Sequence, residues 1–219
     1  VAYRKVAEIF SQISGVYDRF LSLATAGQIH RWQRDLLSGM NMEGNWLDVG
    51  TGTGELLRKL GEDWRGIRVG IDPALGMLFV AKKKCPGCFF LQAVGESLPF
   101  REGSFRNVSL SLVFRHLEDK EAFLKDAFRV LESGGRIGIL DIGRFRGTGV
   151  LLLLMKTLLK PLGVLIFGSD KWSFFIHSVE DSLSPEEVEA MLRSSGFSVI
   201  SKERRLLGVV HLIVAVKTA

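Results

Sequence analysis

An α/β fold is predicted for this 219-residue chain: a mostly parallel sheet with helices on both faces and an antiparallel C-terminal edge. Three observations predict it. First, the turn Asp48-Val49-Gly50-Thr51-Gly52-Thr53-Gly54 sits between an apolar run and a helix-like run, and about twenty residues later a second apolar run, 67–71, ends in Asp72, the layout of an adenosine-binding βαβ unit. Second, strand-like and helix-like stretches go on alternating, which argues parallel strands joined by crossover helices. Third, the closing strand-like runs, 197–204 and 208–217, follow one another with no helix between them, so they pair as an antiparallel edge.

Each element has its own signal. Residues 1–44 read as helices: Val6, Ile9, Phe10, Ile13 and Val16 recur at helical spacing, Tyr17-Asp18 ends that stretch, and 29–37 form a second helix. Strands are expected at 45–50, 67–72, 88–93, 107–113 and 136–142, with helices near 54–61, 75–84 and 119–132 between them. Ser184-Pro185-Glu186-Glu187 offers an N-cap, a proline at the first helical position and a capping-box glutamate, and Gly196 ends that helix. A hydrophobic content of 47%, five prolines and no repeat or low-complexity tract suit one domain with a sizeable core. Residues 1–219 are expected to divide into an N-terminal helical cap (1–44), a cofactor-binding core (45–142), a substrate lid or insert (143–183) and a closing helix with its strands (184–219). The N-terminal residues do not read as a signal peptide.

A net charge of +5 admits nucleic acid or an anionic membrane as partner, beside the plain reading of a modestly basic enzyme. Segment 150–168 is near the length of a membrane span, but Lys156, Lys160 and Pro161 interrupt it. It reads as a buried helix, as an apolar lid over a greasy substrate, or as a membrane-docking face with snorkelling lysines. Because it is apolar all round, periodicity does not choose among these. Cys85-Pro86-Gly87-Cys88 lacks the second pair or nearby histidine that a metal site needs, so no metal is expected. The pair reads as a structural turn, with a local disulfide left open. His30, His177 and His211 show no ligand spacing and read as structural or surface residues.

Charge selects the ligand of the glycine turn. Glycines let backbone approach a ligand closely, and Asp72 would accept hydrogen bonds from a ribose diol. A dinucleotide-binding turn needs Gly or Ala where this chain has Glu55, at a helix N-terminus where a pyrophosphate requires positive potential. Asp48 adds a second acid. S-Adenosylmethionine has the same adenosine, no phosphate and a cationic amino-acid tail, and is the cofactor that fits.

These residues also carry a resemblance. The stretches VAEIFSQISGVYDRF, LDVGTGTGEL, GIDPALGML, GESLPF and GGRIGILD, with Phe114-Arg115 followed by Leu117-Glu118-Asp119-Lys120, and Gly208-Val209-Val210, resemble class I S-adenosylmethionine-dependent methyltransferases. More narrowly the chain resembles the ubiquinone/menaquinone biosynthesis C-methyltransferases, which methylate a ring carbon of a polyprenylated quinol precursor. The resemblance runs from about Val6 to Lys217. It implies a Rossmann-like class I sheet, with Gly52 and Thr53 at the methionine part of the cofactor, Asp72 at the ribose, Val94 and Gly95 at the adenine and Ser111 beneath, and with Asp48, Gly50 and Pro73 among the cofactor-binding residues. It implies Tyr17 and Asp18 closing over the cofactor on the substrate side. It makes Arg115 and His116 the catalytic pair: Arg115 to stabilise a phenolate or help a water take its proton, His116 as a base of near-neutral pKa.

The chain departs from that pattern in places. Val94-Gly95 stand where the family carries an acid or amide followed by alanine, so adenine is held by backbone and packing. His116 replaces a family asparagine, Phe20-Leu21 stand where another asparagine is usual, and 144–170 matches poorly. Structural readings stand beside the functional ones: Thr53 as a helix N-cap, Ser111 as a plain strand residue, Asp18 as a helix-end cap, Arg115 in a surface ion pair with Glu118 or Asp119, and His116 as a structural histidine.

The expected protein is a methyltransferase for a quinol-like phenolic lipid, cytoplasmic and peripheral to the membrane. A methyltransferase for another small or lipid acceptor is the alternative. A cofactor-binding protein without catalysis is another, motivated by Val94. No nucleic-acid partner is expected, because Ser109-Leu110-Ser111-Leu112 stands where base-methylating enzymes carry Asp/Asn-Pro-Pro-aromatic. The sequence gives no sign of oligomeric state.

Overall fold

The computed structural model describes residues 2–15 and 17–218. Its strands are β1 (Trp46–Val49), β2 (Arg68–Ile71), β3 (Phe89–Leu91), β4 (Phe105–Ser111), β5 (Leu131–Ile142), β6 (Phe197–Arg205) and β7 (Val210–Lys217). They form one seven-stranded sheet in the order β3-β2-β1-β4-β5-β7-β6. All neighbours are parallel except β7, which runs antiparallel to both β5 and β6. This is the Rossmann-like sheet with an antiparallel edge that the alternation and the final strand pair predicted.

The helices are α1 (Ala2–Ile13), α2 (Tyr17–Ala24), α3 (Gln28–Ser38), α4 (Glu55–Lys59), α5 (Leu75–Lys84), α6 (Lys120–Val130), α7 (Thr148–Lys156), α8 (Lys160–Phe167), α9 (Ser169–Glu180) and α10 (Pro185–Ser194). Side chains alternate along each strand, so the sheet carries a core on each face. Val108, Leu110, Ile137, Ile139 and Ile213 pack with Phe123, Leu124 and Leu192 of α6 and α10 on one side. Leu140, Leu212 and Val214 pack with Ile29, Trp32 and Leu36 of α3 on the other. Burying one such aliphatic side chain stabilises the fold by about 1.5–3 kcal/mol. The capping box at Ser184 and Glu187 starts α10 as the sequence specifies.

Three departures from the expected boundaries have a clear cause. Tyr17-Asp18 opens α2 rather than ending the first helix: a turn at 14–15 breaks the chain, and Asp18 then sits in the first turn of α2, where a carboxylate suits the helix dipole. Val16 lies outside the described residues, as does the side chain of Val6. β4 stops at Ser111 instead of continuing to 113 because Leu112 takes a left-handed conformation, φ 63°. β5 begins at Leu131, five residues early, with a register shift opposite Phe105 and Asn107 and Gly134 at φ 72° absorbing it.

Segment 150–168 is not one buried helix. It is divided between α7 and α8, and only part of it faces inward: Met155 joins Ile176 and Val179, with Leu151, Leu152 and Trp172 packed around them. Val150, Leu153, Leu154, Leu158, Leu159 and Leu165 are exposed. No helix among the described residues is long and apolar enough to cross a membrane. Cys85 and Cys88, buried at the end of α5, are joined by a disulfide. No cluster of metal ligands exists among the described residues.

Candidate active site

A cleft of about 1140 Å³, measured to its open mouth, lies over the C-terminal ends of β1 and β4. The order of the sheet reverses between these strands, which is where open α/β sheets bind ligands. Its floor is the glycine turn. Gly50, Gly52 and Gly54 all have positive φ. A side chain at Gly50 would meet Val113 at 2.5 Å, whereas nothing lies within 4 Å of the place a side chain at Gly52 would take. The turn is thus clamped on one side and leaves room on the other.

Asp72, Pro73, Val94, Gly95 and Ser111 all line the cleft, as do Asp48, Gly50, Gly52, Thr53, Tyr17 and Asp18. Asp72 is tied into the backbone: Gly52 N donates to its Oδ2 at 2.9 Å and Ala74 N to its Oδ1 at 2.8 Å. Burial raises its pKa to about 6 in spite of those bonds. Asp48 ends a buried relay in which Trp46 Nε1 donates to Ser109 Oγ and Ser109 Oγ donates to Asp48 Oδ1, both at 2.7 Å. Burial lifts Asp48 to about 7, and the Ser109 bond opposes only part of that. Ser111 accepts from Gln33 Nε2 of α3 at 3.2 Å, which ties α3 to the end of β4.

Thr53 is not a helix cap; Gly54 holds that position without a side-chain bond. The Thr53 hydroxyl instead donates to Asp18 Oδ1 at 2.6 Å, and Lys84, at the end of α5, bonds both Asp18 and Glu55. This latch fastens α2 to the glycine turn. It also revises the charge argument from sequence. Burial would raise Glu55, but bonds from Arg58 and Lys84 and the charge of Lys59 outweigh it and hold the carboxyl at about 2. Glu55 is therefore neutralised by its neighbours, and Asp48, Asp72 and Glu96 are the lining acids that no lysine or arginine among the described residues pairs.

At the end of β4 the left-handed Leu112 redirects the chain into a one-turn helix, Phe114–His116. Such strain in a bulky buried residue costs about 1–2 kcal/mol and clusters at functional sites. Arg115 turns away from the cleft wall. Its guanidinium pairs with Asp141 of β5, and Arg115 N donates to Asp141 Oδ2 at 2.8 Å; both side chains are almost wholly buried. The surface pair with Glu118 or Asp119 does not form, because the turn points the side chain at β5. His116 does line the cleft, and its Nε2 is enclosed without a hydrogen-bond partner. Burial, then the charges of Arg115 and Lys120, push its pKa well below the usual histidine value. An aromatic enclosure surrounds it: Phe174 of α9 is stacked on the imidazole at 5.4 Å, Phe10 of α1 stands edge-on at 5.8 Å, and Tyr17 is edge-on to Phe10 at 5.6 Å. Burial lifts the Tyr17 phenol to about 12.

Residues 1–217 match the ubiE/COQ5 methyltransferase family. The chain belongs to that family. It is 35% identical over 204 residues to a demethylmenaquinone methyltransferase of Thermus thermophilus, covering 87% of this chain and 92% of that one. It is 27% identical over 230 residues to the ubiquinone/menaquinone biosynthesis C-methyltransferase UbiE of Campylobacter jejuni, covering 97% of each. Among solved structures, an S-adenosylmethionine-dependent methyltransferase from Thermotoga maritima superposes with a TM-score of 0.72 at 21% identity, covering 96% of this chain and 99% of that one. The phosphoethanolamine N-methyltransferase 2 of Haemonchus contortus, solved with S-adenosylmethionine, gives 0.65 at 15% identity, covering 86% and 53%.

The protein is an S-adenosylmethionine-dependent methyltransferase, and its cleft fits that cofactor. The space beside Gly52 is open, the acids Asp48 and Asp72 face it, and no lysine or arginine lines the cleft among the described residues. A pyrophosphate would find no cation there. Several lining residues carry no functional signal in the sequence, His30 and Gln33 of α3 among them; His30, expected in a structural or surface place, reaches the cleft. The helical periodicity of α3 was their only signal, and it does not report what the polar face meets.

Proposed function

We propose that this methyltransferase C-methylates the ring of a prenylated quinol or closely related phenolic lipid, working at the surface of the membrane that holds so apolar an acceptor. The observation that carries the reading is the aromatic enclosure around a neutral, unpartnered His116 beside the glycine turn. Flat rings recognise flat rings, and ring carbon becomes nucleophilic once its hydroxyl loses a proton. The names of the relatives from Thermus thermophilus and Campylobacter jejuni support the same acceptor class.

S-Adenosylmethionine, when bound, supplies an electrophilic methyl group on a sulfonium. The chain positions and shields. Asp72 holds the ribose diol with lone pairs left over from its backbone bonds, with Pro73 alongside. Val94 and Gly95 pack the adenine, and Ser111 supports the cofactor from below. Asp48, Gly52 and Thr53 face the cationic tail. Tyr17 and Asp18 on α2 close the cleft through the Thr53–Asp18–Lys84 latch, excluding water. Neutral His116 Nε2 takes the proton of the acceptor hydroxyl; once the ring carbon carries the methyl group its own hydrogen leaves as a proton to water, which restores the aromatic ring, and His116 returns its proton to the oxygen. Arg115 acts through position: with Asp141 it fixes the 114–116 turn and places a buried positive charge near Tyr17 and the developing phenolate.

Labelled S-adenosylmethionine with a short-chain prenylated hydroquinone tests the reading. Turnover is expected with the prenylated ring and weaker turnover with the bare ring. Transfer to neither ring, with transfer to an unrelated amine or thiol, sinks it.

A further inference from the structure

The turn between β6 and β7 carries Leu206 and Leu207, both in left-handed backbone conformation at φ 49° and 56°. That region is unfavourable for branched L side chains and persists only where something imposes or uses it. Here it lifts both leucines outward, to 55% and 97% exposure. Beside them lies an open cleft lined by Arg144, Phe145, Arg146, Glu186 and Arg204. Glu187 bonds Arg144 through both oxygens, at 2.5 and 2.7 Å, and Glu186 bonds Arg204 at 2.5 Å. Arg146 has no carboxylate partner among the described residues.

This turn and the insert form one surface. Gly143 N donates to Val209 O at 2.8 Å, and Phe145 lies 3.4 Å from the place of a side chain on Gly208. α7 starts two residues after Arg146 and exposes Val150, Leu153 and Leu154. Residues 144–171 hold five basic residues and one acid, hence +4 of the chain's net +5. The surface grows from the C-terminal end of β5, the same end of the sheet at which the catalytic cleft opens.

We propose that this surface docks on an anionic phospholipid bilayer, Leu206 and Leu207 entering the acyl region and Arg146, flanked by Arg144 and Arg204, taking a headgroup phosphate. Guanidinium groups match phosphate oxygens in geometry as well as charge, and exposed leucines beside basic side chains are the pattern of interfacial anchors. The proposal rests on the membrane-surface part of the proposed function and assigns it to residues. It does not depend on which acceptor is methylated.

Flotation with phosphatidylcholine vesicles, with and without phosphatidylglycerol, tests it on the whole protein. Binding is expected to require the anionic lipid and to weaken with salt. Asparagine tolerates left-handed backbone, so Leu206→Asn/Leu207→Asn should keep or raise thermal stability while lowering vesicle affinity at least about tenfold. Arg146→Glu should lower affinity on the order of tenfold, whereas Arg101→Glu, exposed at the other end of the sheet, should not. Variants that bind vesicles like the parent overturn the assignment and leave the membrane reading standing; no vesicle binding by the parent ends both. Release from vesicles by millimolar inorganic phosphate at constant ionic strength would point to a soluble phosphoryl ligand and overturn the bilayer as occupant. Normal turnover of a water-soluble acceptor by the vesicle-defective variants is expected, and its loss would place these residues in the chemistry instead.

Discussion

Replacing Asp48 by asparagine should stabilise this protein at neutral pH and harm its function. The carboxyl is buried at the end of the Trp46–Ser109–Asp48 relay and titrates at about 7. An unfolded aspartate titrates at about 3.9, so the gap is roughly 3 units, or roughly 4 kcal/mol. The sign follows from linkage. A raised folded pKa means the folded state holds the proton more tightly, so the contribution is fully present below the unfolded pKa. It is lost as pH rises from about 4 and is gone just above 7. Asparagine keeps the oxygen that accepts from Ser109 and carries no charge. The variant should therefore match the parent near pH 4 and gain on it steadily, by up to roughly 4 kcal/mol at pH 8. Urea unfolding of both proteins across this range measures it. The same variant should bind S-adenosylmethionine less well at pH 8, because the carboxylate that faces the cationic tail is gone. A stability difference that does not change with pH would refute the reasoning, and so would unaltered cofactor affinity.

Three further outcomes follow from the site. Asp72→Ala should weaken S-adenosylmethionine binding by roughly 1.5–3 kcal/mol, with no comparable affinity for NAD in the parent; calorimetric titration decides both. Arg115→Ala leaves Asp141 buried and unpaired, which costs about 3–5 kcal/mol of stability, so Arg115→Lys is the cleaner probe: kcat should fall at least about tenfold with cofactor affinity nearly unchanged, and a loss confined to cofactor binding would contradict the positioning role. His116, held below the usual histidine pKa by burial and by Arg115 and Lys120, stays neutral through physiological pH; kcat/KM for the acceptor, measured with S-adenosylmethionine saturating so that titration of Asp48 and Asp72 in the free enzyme does not enter, should have no acid limb above about pH 6.5, a limb centred above 7 being the contrary result.

Much of this was legible in the sequence because it is local. The glycine turn, the apolar runs and the Ser184 capping box each specify their element within a few residues, and the final strand pair without a helix between specifies the antiparallel edge. The residues proposed to hold the cofactor gather in one cleft for the same reason: they lie at strand ends, where the topology must bring them together. What was hidden are the partnerships across the chain. Asp18 meets Thr53 across 35 positions and Lys84 across 66, Arg115 meets Asp141 across 26, and Gln33 meets Ser111 across 78. No spacing rule reaches that far. The sequence could not say that Glu55 is quenched by three cations, nor that Arg115 faces inward. It also could not say that the apolar 150–168 run shows so many leucines to solvent, because burial of an all-apolar helix depends on what its neighbours cover.

The central claim is carbon methylation of a phenolic ring, and locating the transferred methyl group tests it most directly. The product of turnover with a prenylated hydroquinone and isotopically labelled S-adenosylmethionine can be examined by NMR. The account predicts the labelled methyl on the ring carbon beside a free hydroxyl, with formation slowed by substitution of His116. A labelled methyl on oxygen, or carbon methylation indifferent to His116→Ala, would contradict it.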